Sequence, residues 1–238
     1  MKRSNILMAA VICISACCVS CISNFPIKGN GNWKTSEITD SVFDRIISGG
    51  SAEITFHASE EFRVVVTIDE NLEEFVEIFT KNNALNIRTK NGHNISPTKF
   101  TVDLYCPVIT GVTISGSGSF RNIDTIIVST FESNLTGSGK IEGNVECDNY
   151  SAEITGSGKI SIYGIVEDTH ISITGSGDFH GNELKTRNAT ITITGSGNVN
   201  ICVSDYIKAR ITGSGNINYG GDPKVDTSVS GSGHIRKM

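Results

Sequence analysis

Six side chains in this sequence have the chemistry that cutting a polysaccharide would need: Asp148, Asp168, Asp178, Asp205, His170 and His180. Hydrolysis or elimination on a sugar requires convergent carboxylates, or a base beside a cation. His170 stands five residues before a Gly-Ser-Gly triplet and His180 three residues after the same triplet, so neighbouring coils of a repeat could bring them together. Scattered polar residues on a solvated face are the commoner explanation. No Ser-His-Asp arrangement, no His-Glu-x-x-His and no paired-cysteine site is present. Four of the seven cysteines, Cys13, Cys17, Cys18 and Cys21, crowd the N-terminus. The other three, Cys106, Cys147 and Cys202, cannot all pair, and their intervals of 41 and 55 match no metal signature. Small buried hydrophobes are the expected role for these three. No catalytic residue, metal or cofactor is therefore expected.

Hydroxyls are the most regular chemical feature. The phrase at 173–179, Ile-Thr-Gly-Ser-Gly-Asp-Phe, recurs with variations at 114–120, 135–141, 154–160, 193–199, 211–217 and 229–235. Its Gly-Ser-Gly triplets are spaced by 21, 19, 19, 20, 18 and 18 residues. Such a period is too short for a packed helix pair and fits one turn of a β-solenoid. The flanks agree, with alternating β-formers such as 190–194, Thr-Ile-Thr-Ile-Thr. A flexible linker would not carry aliphatic residues at the same two offsets seven times. A phosphate loop is used once and followed by a helix. Calcium-binding nonapeptides need Asp at a fixed offset, and only Asp178 occupies it.

Parity assigns the faces. Ile114, Leu135, Ile154, Ile173, Ile193, Ile211 and Val229 lie two residues before the first glycine. Phe120, Ile141, Ile160, Phe179, Val199, Ile217 and Ile235 lie two after the second. These positions are an even number apart, so an extended chain turns both inward, with the glycines between them. This parity favours a continuous strand, bent where side chains are missing, over a tight corner built on positive φ. The outward positions then form two ladders, Thr136, Thr155, Thr174, Thr194 and Thr212 in one, Ser138, Ser157, Ser176, Ser196 and Ser214 in the next. A flat hydroxyl array suits extended, repetitive partners such as glycan chains, where many weak contacts add. The neighbouring row, Lys140, Lys159, Asp178, Asn198 and Asn216, would add selectivity. High β-propensity of Thr is the plainer account of the same ladder.

The fold class expected is all-β: a parallel β-helix with 18–21 residues per coil over 113–238, capped by an irregular β region over 35–112. That earlier region holds strand-like runs such as 63–68 and 100–104, turns at Lys81-Asn82-Asn83 and Asn91-Gly92, and an imperfect echo of the phrase within 43–56. Residues 73–78 read either as a helical turn or as an acidic strand. A separate small β domain is the alternative for the whole region. Before it, residues 1–16 read as a signal peptide: a basic start, then an apolar run from Ile6 too short to span a bilayer. Ile14-Ser15-Ala16-Cys17 resembles a lipobox, which makes Cys17 the expected lipidation site and Cys21 the alternative; residues 17–34 would be a tether. An ordinary cleaved leader is the competing reading. The net charge of −5 argues against nucleic acid as a partner.

Residues 41–46 (Ser-Val-Phe-Asp-Arg-Ile), 85–87 (Leu-Asn-Ile), 105–107 (Tyr-Cys-Pro) and the seven Gly-Ser-Gly phrases together resemble the bacterial "putative auto-transporter adhesin, head GIN domain" family over about residues 40–235. The resemblance implies a β-helical fold and a lipoprotein of the Bacteroidetes type in the cell envelope, anchored to the outer membrane on its periplasmic or surface face. It carries over no catalytic residues. The expected function is a non-catalytic, adhesin-like envelope lipoprotein that binds a glycan or a surface protein. The alternatives are a polysaccharide-active enzyme and a lipid- or small-ligand-binding envelope protein.

Overall fold

The computed structural model describes residues 25–39 and 41–238. The leader, Cys17, Cys21 and the first part of the tether lie outside the described residues. Among the described residues the chain is β throughout, apart from turns and one 3-10 segment, Glu70–Phe75. The expected solenoid is present, with about seven turns.

Strands Lys140–Gly156, Lys159–Gly175, Asp178–Gly195 and Asn198–Gly213 each run from one Gly-Ser-Gly to the next. Each lies parallel to its successor with the corner glycines in register: Gly137, Gly156, Gly175, Gly195, Gly213 and Gly231 form one column. Leu135, Ile154, Ile173, Ile193 and Ile211 stack as a second column, and Ile141, Ile160, Phe179, Val199 and Ile217 as a third, all at most 1% exposed. Each such Ile contributes about 2 kcal/mol by leaving water. Val229 belongs to the second column but is 43% exposed, because the last coil has a neighbour on one side only among the described residues.

The chain turns at the triplet instead of continuing as a bent strand. Strand pairing stops at the first glycine, whose φ lies between 110° and 127° in all seven copies. A Cβ on Gly175 would stand 2.6 Å from the Gly156 carbonyl oxygen, and one on Gly177 would stand 2.4 Å from Ile154 Cγ2. Adjacent coils approach too closely there for any side chain, and the first φ excludes L residues as well. Both the bent strand and the corner keep the flanking aliphatics inward, which is why parity alone did not separate them.

A second bend follows where two exposed residues in succession, such as Glu167 and Asp168, break the alternation. Each coil thus has a leading face before the triplet, a trailing face after it and a short third side. Differences in repeat length are absorbed away from the triplet, by register shifts between Ser161 and Gly164, Gly181 and Lys185, and Thr186 and Asn188.

The imperfect echo within 43–56 is a true coil. Strand Arg45–Gly50 pairs in parallel with Gly111–Gly116, strand Glu53–Ala58 with Ser119–Asn122, and Gly50 takes the corner with φ 117°. The division drawn at 112/113 therefore falls inside a strand, Gly111–Gly116. One further layer covers this coil. Strand Ala84–Thr89 pairs with Arg45–Gly50, and strand Phe100–Cys106 with Glu53–Ala58. Antiparallel strands then close each sheet: Val76–Lys81 on one, Arg63–Asp69 and Trp33–Ile38 on the other. Residues 73–78 fulfil both readings, a 3-10 turn that runs into strand Val76–Lys81. Asn82 and Asn83, both with positive φ (51° and 59°), make the two-residue hairpin that follows.

Candidate functional site

The expected hydroxyl ladders exist as geometry. Thr136, Thr155, Thr174, Thr194 and Thr212 are paired rung to rung and exposed. Ser138, Ser157, Ser176, Ser196 and Ser214 sit at the corner apex, also exposed. Their backbone N–H groups are committed, donating to the glycine carbonyl of the preceding coil at 2.8–3.0 Å. Their side-chain hydroxyls have no side-chain partner among the described residues and remain available to an outside group.

The trailing face holds a second array. One row across it reads Lys140, Lys159, Asp178, Asn198, Asn216, His234. The next reads Glu142, Ser161, His180, Asn200, Asn218, Arg236. Stacked amides bond along the solenoid axis: Asn216 Nδ2 donates to Asn198 Oδ1 (3.0 Å), Asn198 Nδ2 to Asp178 Oδ1 (2.8 Å), and Asn218 Nδ2 to Asn200 Oδ1 (2.9 Å). Each Asn so held keeps at least one N–H and one acceptor lone pair for solvent or ligand. Sequence reasoning found the first row and missed the second. Its signal was the alternation at 198–201 (Asn-Val-Asn-Ile) and 216–219 (Asn-Ile-Asn-Tyr), which marks two outward amides per coil.

The candidate acid–base residues do not form one site: Asp168 and His170 line one groove, Asp178 and His180 another. His170 lies on the leading face, with Asp168 where that face meets the second bend, Asp178 and His180 on the trailing face, and Asp148 and Asp205 at the second bend. Asp168 accepts from Asn188 Nδ2 at 2.9 Å. Hydrogen bonds from Ser204 and Arg187 hold Asp205 below the ordinary carboxylate range, the opposite of what a proton donor needs. Among the described residues no group of three or more His, Cys, Asp or Glu is placed to hold a metal ion. Cys106 is buried, Cys147 and Cys202 are half-buried, and none is in a disulfide. Burial pushes the Cys106 thiol up to about 12 and that of Cys147 to about 11, so both stay protonated and weakly nucleophilic.

The third side carries an apolar groove of about 980 Å3. Val166, Val203, Cys147 and Cys202 line it, with Ile165 exposed at its edge. Arg187, paired with Glu167 (2.7 Å) and Asp205 (3.1 Å), forms part of its rim. No helix among the described residues is long and apolar enough to cross a membrane.

Coil, corner and in-register polar faces define a parallel β-solenoid protein. The sequence profile of the family described as "Putative auto-transporter adhesin, head GIN domain" matches residues 42–223, and the chain belongs to that family. Three solved structures share its fold. A "putative lipid binding protein" from Parabacteroides distasonis ATCC 8503 is 30% identical, with TM-score 0.77 over 90% of this chain and 100% of that one. A "putative adhesin" from Parabacteroides merdae ATCC 43184 is 26% identical, with TM-score 0.73 over 89% and 98%. A "putative adhesin" from Bacteroides fragilis NCTC 9343 shares the fold at 18% identity, with TM-score 0.83 over 89% and 100%. No curated protein shows a significant match to the chain. The family and these neighbours bear adhesin or lipid-binding names, not those of enzymes.

Proposed function

We propose that this protein is a non-catalytic cell-envelope adhesin, anchored by a lipid on Cys17, that binds glycans along its polar solenoid faces. The observation that carries the reading is the in-register array itself. Exposed Thr and corner Ser hydroxyls repeat at each coil, and hydrogen-bonded amides repeat beside them. Repetition at the strand spacing of about 4.8 Å offers a polymer the same weak contacts again and again, and avidity accumulates without a deep pocket. The family's adhesin description supports the class of function and an envelope or surface location. The lipobox-like sequence supports the anchor.

A second reading has its own support: an acyl chain bound in the third-side groove. The groove has an apolar floor, and the 30% identical neighbour is described as lipid binding.

One panel separates the two. The purified protein is screened against immobilised glycans and against a fluorescent fatty acid. Glycan binding that falls at least tenfold when Thr155, Thr174 and Thr194 are all changed to Val supports the first reading. Val keeps β-propensity and shape while removing the hydroxyls. Unchanged glycan binding would make the Thr ladder scaffold only. Binding of the fatty acid and of no glycan would select the second reading.

A further inference from the structure

We propose that the trailing-face groove beside Lys140 and Lys159 is a subsite for the carboxylate of an acidic saccharide, a hexuronate-containing glycan. This rests on the glycan reading above and narrows it to a charge class.

The register sets Lys140 directly beside Lys159 on adjacent parallel strands. Like charges at that spacing repel and weaken a sheet. The rest of the row shows no such requirement, since the following coils place Asp178, Asn198 and Asn216 there. Glu142 pairs with Lys140. Lys159 has no carboxylate within ion-pair distance among the described residues. Lys159 thus stands between Lys140 on one coil and Asp178 on the next, with its ammonium in no ion pair among the described residues.

That spot borders an open groove of about 720 Å3, within the range of small-ligand sites. The groove adds ligand-facing chemistry to the charge. The Ser138 and Ser157 hydroxyls border it, as do the side chains of Tyr163 and His180. Two carboxylates, Glu142 and Glu183, also line it. They repel a densely charged polyanion and leave room for one negative charge on a hydroxyl-rich body. His180 borders a second groove of about 440 Å3 as well, formed with the amide rows from Asp178 to Asn218. A saccharide with its carboxylate at Lys159 would meet a fixed donor–acceptor array for its next units along the axis. Lys is suited to this as a compact point charge on a flexible stem.

The test is isothermal titration of the purified protein at low salt, with tetragalacturonate, tetramannuronate and the methyl ester of each, which keeps the sugar and removes the charge. At least one acid is expected to bind about tenfold or more tightly than its ester, the effect of one charge-assisted hydrogen bond. Lys159→Gln should remove that preference and leave ester binding unchanged, while Lys159→Arg should retain it. Lys159 is exposed, so the melting curves of both variants should stay superimposable with that of the unaltered protein. Equal binding of acid and ester, or an unaffected Lys159→Gln protein, would overturn the carboxylate subsite and leave the glycan reading standing. Binding of neutral glycans with no uronate bound would do the same. Failure of every glycan would remove both. Phosphatidylglycerol vesicles form a separate arm. Lys159-dependent vesicle binding without uronate binding would assign the subsite to a phosphate headgroup and overturn the saccharide.

Discussion

Gly175 and Gly177 show the constraint that each corner imposes on its residues. Gly175 has φ 116° and a neighbouring carbonyl where its Cβ would be, and Gly177 faces Ile154. Ser176 between them points to solvent. Gly175→Ala therefore forces both a disallowed backbone and a clash, and should cost about 3 kcal/mol or more. Ser176→Ala should change stability by less than about 0.5 kcal/mol. Urea unfolding of the two variants checks this, and similar midpoints would mean that the corner is not where the strain lies. The sequence period located every glycine but could not set the sign of φ. Alternation reports which side chains face inward, and a bent strand and a positive-φ corner give the same answer to that question.

At the scale of elements, the capping region is held by one carboxylate. Asp69, at the end of strand Arg63–Asp69, is fully buried. Its Oδ1 accepts from Gly31 N (2.8 Å) and Thr98 Oγ1 (2.7 Å), and its Oδ2 from Thr98 N (2.7 Å) and Lys99 N (3.4 Å). It thereby clips the segment around Gly31 and the loop at 98–99 to the edge of the cap. Burial alone would raise its pKa, but these hydrogen bonds outweigh burial and hold it below the ordinary 3.8. A carboxyl with a depressed folded pKa stabilises fully above its unfolded value and loses that contribution as pH falls through the folded one. Acidification below about pH 4 should thus speed amide exchange at Gly31, Thr98 and Lys99 before the Gly-Ser-Gly coils respond. Asp69→Asn should reproduce the loosening at pH 7 and lower the melting temperature by several degrees, because an amide nitrogen would meet N–H donors. Uniform exchange across the cap and the coils on acidification would contradict the clip. Nothing in the sequence marks this contact, since Asp69 and Gly31 lie 38 residues apart. The strands of the cap were legible from alternation. Their order was not, because Ala84–Thr89 and Phe100–Cys106 stack outside a coil that precedes them in the chain.

At the scale of the whole molecule, the repeat was legible because every coil solves one local problem in the same way. Leu135, Ile154, Ile173, Ile193 and Ile211 needed no long-range information to be assigned inward. The trailing-face groove was less legible. The Lys140–Lys159 row followed from aligning the triplets, but the second row beside it, Glu142, Ser161 and His180, depends on which unlike residues the register sets side by side. The same alignment makes coils removable. Stability in a solenoid is close to a sum of coil and nearest-neighbour terms. Excising residues 196–213 would join Gly195 to Ser214 and keep the corner intact. It would set Phe179 against Ile217 and Ile193 against Val229, apolar against apolar, in place of the present pairs. The shortened protein is expected to fold, with a melting temperature several degrees lower for the lost interface. It loses Asn198 and Asn200 but keeps Lys140, Lys159 and His180. Affinity for a tetrasaccharide seated at Lys159 should then change little, while affinity for a long polymer should fall, since fewer contacts act together. Circular dichroism with titration of short and long uronates reads both. If the polymer binds the shortened protein as tightly as the intact one, the amide strip is not part of the binding face, and recognition is confined to the groove.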